Sequence, residues 1–136
     1  MVLNDKGIIL KIICFTGSRA EYYLLRPLLI SINKLAKYQL LLIISGGILL
    51  EENKKTILDI KKDGINVCGE IKISNSNTNH SLSIGEICIE TVNIIKKIKP
   101  KLSIVYGDRY ESFGFAIAAS HSNIPLIHLE AGDITE

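Results

Sequence analysis

Two acidic residues, Asp108 and Glu130, stand where a proton-handling site would need them. Asp108 follows the apolar run 102–106, and Glu130 follows the apolar run 125–129. The segment 111–122 between them carries apolar residues at mixed spacing with many alanines, which reads as a helix joining two strands. Roughly 22 residues separate the two carboxylates, enough for one helix and two tight loops to return the chain beside itself in parallel. Both side chains then emerge at strand carboxyl ends, on the rim where open α/β sheets bind ligands. Carboxylates sharing a partly desolvated cleft with a cation can have their pKa values driven apart, so that one serves as acid and the other as base. Asp108 taken alone is more ordinarily a helix cap, and Glu130 alone a solvated loop residue. Against the second reading stands the turn Ala131-Gly132, whose small residues let a ligand approach the backbone. His128 reads as an ordinary strand histidine, and alternation puts it on the same face as Glu130.

A second candidate is the loop Gly17-Ser18-Arg19-Ala20-Glu21. It has neither the G-x-G-x-x-G spacing of a dinucleotide fingerprint nor the G-K-[ST] of a phosphate loop. What remains is a short loop feeding a helix amino terminus, where backbone N–H groups attract anions and Arg19 adds a permanent charge with bidentate donors. An Arg19–Glu21 surface pair explains the same residues equally well.

The elements that must position these groups alternate along the chain. A buried first strand is predicted within residues 1–16 (core 8–15), followed by a loop at 16–23. A helix then runs to about residue 37, with Pro27 tolerated only in its first turn. Next come a strand at 40–44, a helix at 52–63 ended by Asp63-Gly64, and a short strand at 65–70. After a polar loop at 75–80, a long amphipathic helix spans 82–99 with Ile84, Ile87, Ile95 and Ile98 as its buried stripe. The strand, helix and strand of the acidic pair complete the series. Such alternation implies a doubly wound, Rossmann-like α/β fold: a parallel sheet with right-handed crossovers and strand order 3-2-1-4-5. Arg19, Asp108 and Glu130 are expected to face one cleft.

The 136 residues suit one domain with a real core. A hydrophobic fraction of 47% and a charged fraction of 22% are those of a globular chain. The net charge of +2, from lysines scattered over helical faces, gives no argument for nucleic acid. The longest apolar run, 40–50, is broken by Ser45-Gly46-Gly47 and falls short of a membrane span. Cys14, Cys68 and Cys88 lack the paired spacing of a zinc or redox site and read as buried thiols in a reducing cytoplasm. A receiver-type signalling domain has the same alternation, but it needs an acidic pair where this chain has Thr16-Gly17-Ser18.

Three blocks, FTGSRAEYYLLRPLL at 15–29, GDRYE at 107–111 and HLEAGDITE at 128–136, together resemble the hydrolysing UDP-N-acetylglucosamine 2-epimerases of sialic and related nonulosonic acid biosynthesis. They lie in the family's order across nearly the whole chain. The resemblance implies the amino-terminal domain of a two-domain, glycosyltransferase-B-like enzyme. It makes residues 1–136 an incomplete fragment, inactive alone, of a cytoplasmic and possible homo-oligomeric protein. It also implies that UDP leaves C1 of an N-acetylated sugar as the C2 proton is removed, and that water then adds to the glycal with C2 inverted. No redox cofactor or metal takes part. Asp108 and Glu130 match the catalytic carboxylates, Arg19 matches the arginine near the diphosphate, and Gly17 and Arg109 belong to the substrate-binding set. The chain departs from the family at Gly46-Gly47-Ile48, where Gly-Met-His is common, so the resemblance does not reach the exact sugar. Non-hydrolysing epimerases and related glycosyltransferases share the same architecture.

Overall fold

A computed structural model of the chain describes residues 2–4, 7–74 and 79–132. Residues 75–78 of the polar loop and the last four residues of the third sequence block lie outside the described part. The strands are β1 (Val2–Asn4), β2 (Gly7–Thr16), β3 (Tyr38–Ser45), β4 (Asn66–Ile71), β5 (Leu102–Tyr106) and β6 (Leu126–Leu129). The helices are α1 (Arg19–Asn33), α2 (Lys54–Lys62), α3 (His80–Ile98) and α4 (Tyr110–His121). The sheet order is β4-β3-β2-β5-β6 with every one of these pairings parallel. That is the expected 3-2-1-4-5 order of a doubly wound α/β fold.

The central strands are apolar on both faces, as a parallel sheet sandwiched between helices requires. In β2, Ile12 and Cys14 face the α1/α2 side with Tyr22, Leu25, Leu29 and Ile60. Ile13 and Phe15 face the α3/α4 side with Ile87, Ile95, Phe115 and Ala119. The alanines of α4 are explained by its tight fit to α3: a side chain on Gly114 would come within 2.9 Å of the Ile84 carbonyl. Of the predicted stripe on α3, Ile87 and Ile95 are fully buried while Ile84 and Ile98 are half-covered.

The structure corrects the expected elements at three points. Residues 1–16 do not form one strand, because β1 folds back antiparallel on the first residues of β2, pairing Leu3 with Ile8. Helix α1 starts at Arg19, well before the expected position, so Pro27 lies inside it. The start is set by a capping box, in which the Ser18 hydroxyl accepts from the Glu21 N–H while the Glu21 carboxylate accepts from the Ser18 N–H. Pro27 sits on an exposed face and, having no N–H, cannot donate to the Tyr23 carbonyl one turn back. Two short 3-10 turns, Gly46–Leu49 and Glu51–Asn53, precede α2. Cys14 is buried, as expected, with its thiol pushed up to about 12 by burial. Cys68 and Cys88 are only half-buried, being on an edge strand and an outer helix. No helix among the described residues is long and apolar enough to cross a membrane.

Helices α1 and α2 are joined by a polar latch. The Tyr22 hydroxyl donates to Asp63, and Arg26 donates to the same carboxylate through Nε and Nη2, each at 2.7 Å. The Arg26 hydrogen bonds hold the Asp63 carboxyl below its usual range. A carboxylate whose folded pKa is depressed contributes stability that is fully present above its unfolded pKa and is lost as pH falls through the folded one. Asp63→Asn is therefore expected to lower the melting temperature at pH 7, with the gap to wild type closing only as pH falls below the usual carboxylate range. Thermal melts of both proteins across pH check it, and a gap independent of pH would contradict the ionic origin.

Candidate active site

Because the five central strands are parallel, their carboxyl ends line one rim. Thr16, Ser45, Tyr106 and Leu129 are the last residues of β2, β3, β5 and β6, and each feeds a loop that carries candidate chemistry. The β2 loop is held from beneath by Glu21, which is only 5% exposed. Its Oε2 accepts the N–H groups of Gly17 at 2.9 Å and Ser18 at 3.1 Å. The expected alternative, an Arg19–Glu21 surface pair, is therefore not what forms. The β3 loop is tied to the β2 loop by the Gly47 N–H, which donates to the Gly17 carbonyl at 3.0 Å. Asn53 in turn donates to the Gly47 carbonyl at 2.6 Å.

The β5 loop carries Gly107, Asp108 and Arg109. Gly107 has a φ of +70° and donates its N–H to Leu129 at the end of β6, 3.0 Å away. The His128 Nε2 lies 2.6 Å from the Gly107 carbonyl, so this histidine fastens the β5 loop to β6. Asp108 is exposed. It does not cap α4, whose N-cap is Arg109 without a side-chain hydrogen bond, so the ordinary explanation for an aspartate at this position falls away. Glu130 is also exposed and has a φ of +54°, a left-handed backbone that costs a non-glycine residue free energy and gathers at functional sites. Strand alternation consequently stops at Leu129 and does not fix the face of Glu130. Glu130 acts on Tyr106, whose hydroxyl is pushed up first by burial and then by the charges of Glu130 and Glu21.

Beneath the rim lies a charge cluster that sequence reasoning did not find. Glu111, 1% exposed, accepts from Arg109 through both carboxylate oxygens, from Nη2 at 2.8 Å and Nε at 3.1 Å. Arg109 Nε is also 4.0 Å from Glu21 Oε1. Two buried carboxylates thus share one half-exposed guanidinium. Burial is the main cause raising the Glu21 pKa; the Glu111 charge adds to it, while Arg109 and the Gly17 and Ser18 N–H groups act the other way. The S-x-x-E spacing of Ser18 and Glu21 was a legible sign of capping. Glu111 was visible only as the last residue of the GDRYE block, with nothing to mark it as the partner of Arg109.

Recesses open along the rim among the described residues. One, about 390 Å³, is lined by Gly46, Gly47, Lys72, Arg109, Tyr110 and Glu111. Another, about 450 Å³, is lined by Arg19, Tyr23, Asn53, Lys55, Thr56 and Asp59. Arg19, Asp108 and Glu130 therefore share one edge of the sheet but not the one cleft expected: Arg19 opens on a different recess from Arg109, and neither carboxylate lines either of the two. Gly17 lies between the two, under the bridge to Gly47. The arrangement places exposed carboxylates on the same rim as Arg19 and Arg109, which suits proton transfer next to an anionic leaving group.

Comparison with known proteins gives this geometry its family. Residues 31–136 match the model of the UDP-N-acetylglucosamine 2-epimerase family. The chain is 33% identical over 126 residues to a hydrolysing UDP-N,N'-diacetylbacillosamine 2-epimerase of Legionella pneumophila, covering 90% of this chain and 33% of the relative. It is 36% identical over 128 residues to the polysialic acid biosynthesis protein P7 of Escherichia coli, covering 92% and 33% respectively. Its fold superposes with a TM-score of 0.80 on the UDP-N-acetylglucosamine 2-epimerase of Neisseria meningitidis bound to UDP-N-acetylglucosamine, at 21% identity over 93% of this chain and 33% of that one. The chain thus spans about a third of the length of the curated relatives it matches. The family model, these relatives and the shared fold agree: the chain belongs to the UDP-N-acetylglucosamine 2-epimerase family.

Proposed function

We propose that the protein to which this chain belongs is a hydrolysing 2-epimerase, converting a UDP-linked N-acetylated amino sugar to the free C2 epimer and UDP. The observation that carries the reading is the pair of exposed carboxylates at the ends of the adjacent strands β5 and β6: Asp108, which caps no helix, and Glu130, in a left-handed backbone. The Legionella relative, named as hydrolysing, supports it. In the reaction one carboxylate takes the proton from C2. The C1–O bond breaks with its electron pair leaving on the UDP β-phosphate oxygen, and a glycal forms. Water then adds its hydroxyl to C1 while the other face of C2 receives a proton. Arg19 and Arg109 stabilise the departing diphosphate, while the Gly17 and Ser18 N–H groups stay engaged by Glu21 and hold the loop in shape.

Incubating the full-length protein with UDP-N-acetylglucosamine or UDP-N,N'-diacetylbacillosamine in deuterated water tests this. The expected products are UDP and a free sugar inverted and deuterated at C2. Inverted sugar still bound to UDP would assign the non-hydrolysing reaction. Absence of C2 deuterium from both substrates would overturn the epimerase reading.

A further inference from the structure

We infer that Glu111 is a positioning residue, which presents one edge of the Arg109 guanidinium to the ligand and locks the rim loops around it. The inference rests on the proposed nucleotide-sugar reading, in which Arg109 meets the diphosphate. Arg109 sits at the N-cap of α4 with a side chain 48% exposed, and its other neighbours, Glu21 at 4.0 Å and the Tyr110 ring at 6.0 Å, are too distant to fix its plane. Glu111 supplies that constraint. Its two oxygens engage Nη2 and Nε in a fork, a planar pairing that fixes the guanidinium in orientation as well as position. The remaining Nη1 edge is left for an incoming anion, on the side of the recess shared with Lys72 and Gly46.

Glu111 reaches the loops as well. A side chain on Gly17 would come within 3.0 Å of the Glu111 Cβ, and one on Gly46 within 3.0 Å of its Oε1. The same glutamate is thus wedged between the ends of β2 and β3. Glu21 shares the arrangement from the opposite side, holding the Gly17 and Ser18 N–H groups while lying 4.0 Å from the Arg109 Nε. One guanidinium and two buried carboxylates therefore couple the β2, β3 and β5 loops.

The test is a double-mutant cycle on the full-length protein, with UDP affinity measured by calorimetry. Glu111→Gln removes the charge at constant volume and is expected to weaken UDP binding about 10-fold or more, since small misplacements of a clamp are costly. In an Arg109→Ala background the same change is expected to alter affinity less than about twofold, because the group through which Glu111 acts is gone. Glu111→Asp, which keeps the charge with a shorter reach, is expected to recover part of the loss and serves in place of Glu111→Gln if that variant does not fold. Losses that add across the cycle, or unchanged UDP affinity in Glu111→Gln, would overturn the positioning role. Wild-type protein that fails to bind UDP would instead overturn the nucleotide-sugar reading beneath it.

Discussion

Asp108→Asn in the full-length protein is expected to lower turnover by about 100-fold or more while leaving the fold intact. The substitution preserves volume and hydrogen-bonding capacity and removes the ionisable group. General acid–base transfer typically contributes factors of about 100 to 10,000, so the loss reads directly on the proposed chemistry. Stability gives the opposing reading its own signature. Were Asp108 a helix cap, its replacement would cost about 1 kcal/mol of stability and little activity. The N-cap of α4 is Arg109, and Asp108 stands exposed before it, so the melting temperature of the variant is expected to stay close to wild type. Steady-state kinetics beside a thermal melt separate the two cases, and near-normal turnover would remove Asp108 from the mechanism.

Gly46→Ala is expected to produce the largest loss of stability, about 2–5 kcal/mol, from backbone strain and overpacking together. Gly46 has a φ of +57°, and a Cβ there would lie 2.8 Å from the Gly17 carbonyl oxygen and 3.0 Å from the Glu111 carboxylate. The left-handed backbone alone is not prohibitive, since Lys99 adopts a φ of 54° at the end of α3 and Asn123 one of 57°. The clash decides the matter, because one neighbour is backbone and the other is a buried carboxylate held by Arg109. Gly47→Ala is the control. Its nearest neighbour is the same Gly17 oxygen at 3.8 Å, an ordinary contact, so its effect is expected within about 1 kcal/mol. Denaturant unfolding of both variants checks the pair, and equal stabilities would show that the β2 and β3 loops are not packed as described.

Much of the fold was legible because its signals are local. The runs that became β2, β3 and β5 are continuous and apolar, and the polar segments between them left little choice of strand order. The β1 hairpin was missed although Asn4-Asp5-Lys6-Gly7 is a polar turn signal between the two apolar runs, because the first strand was read across the whole segment. The start of α1 was misjudged by giving Pro27 more weight than the Ser18/Glu21 capping signal. In the site, strand polarity was enough to put Asp108, Glu130 and Arg19 on one rim. It could not say that Arg19 and Arg109 open on separate recesses, which depends on the 3-10 turns after β3. The Glu21–Arg109–Glu111 cluster exists only through packing: Ser112 beside Glu111 meets Glu21 across 91 residues of chain. No periodicity or motif encodes such a meeting.

The bond from the Gly47 N–H to the Gly17 carbonyl joins two loops that are otherwise anchored apart, one by Glu21 and the other by Asn53. Their conformational entropy is surrendered once, when β2 and β3 pair, and is not demanded again by the ligand. A ligand arriving at this rim meets a wall already assembled, so more of its contact energy remains as affinity. The same economy ties binding to folding: whatever loosens the bridge returns that entropy to the empty protein, and the ligand must then order the loops itself.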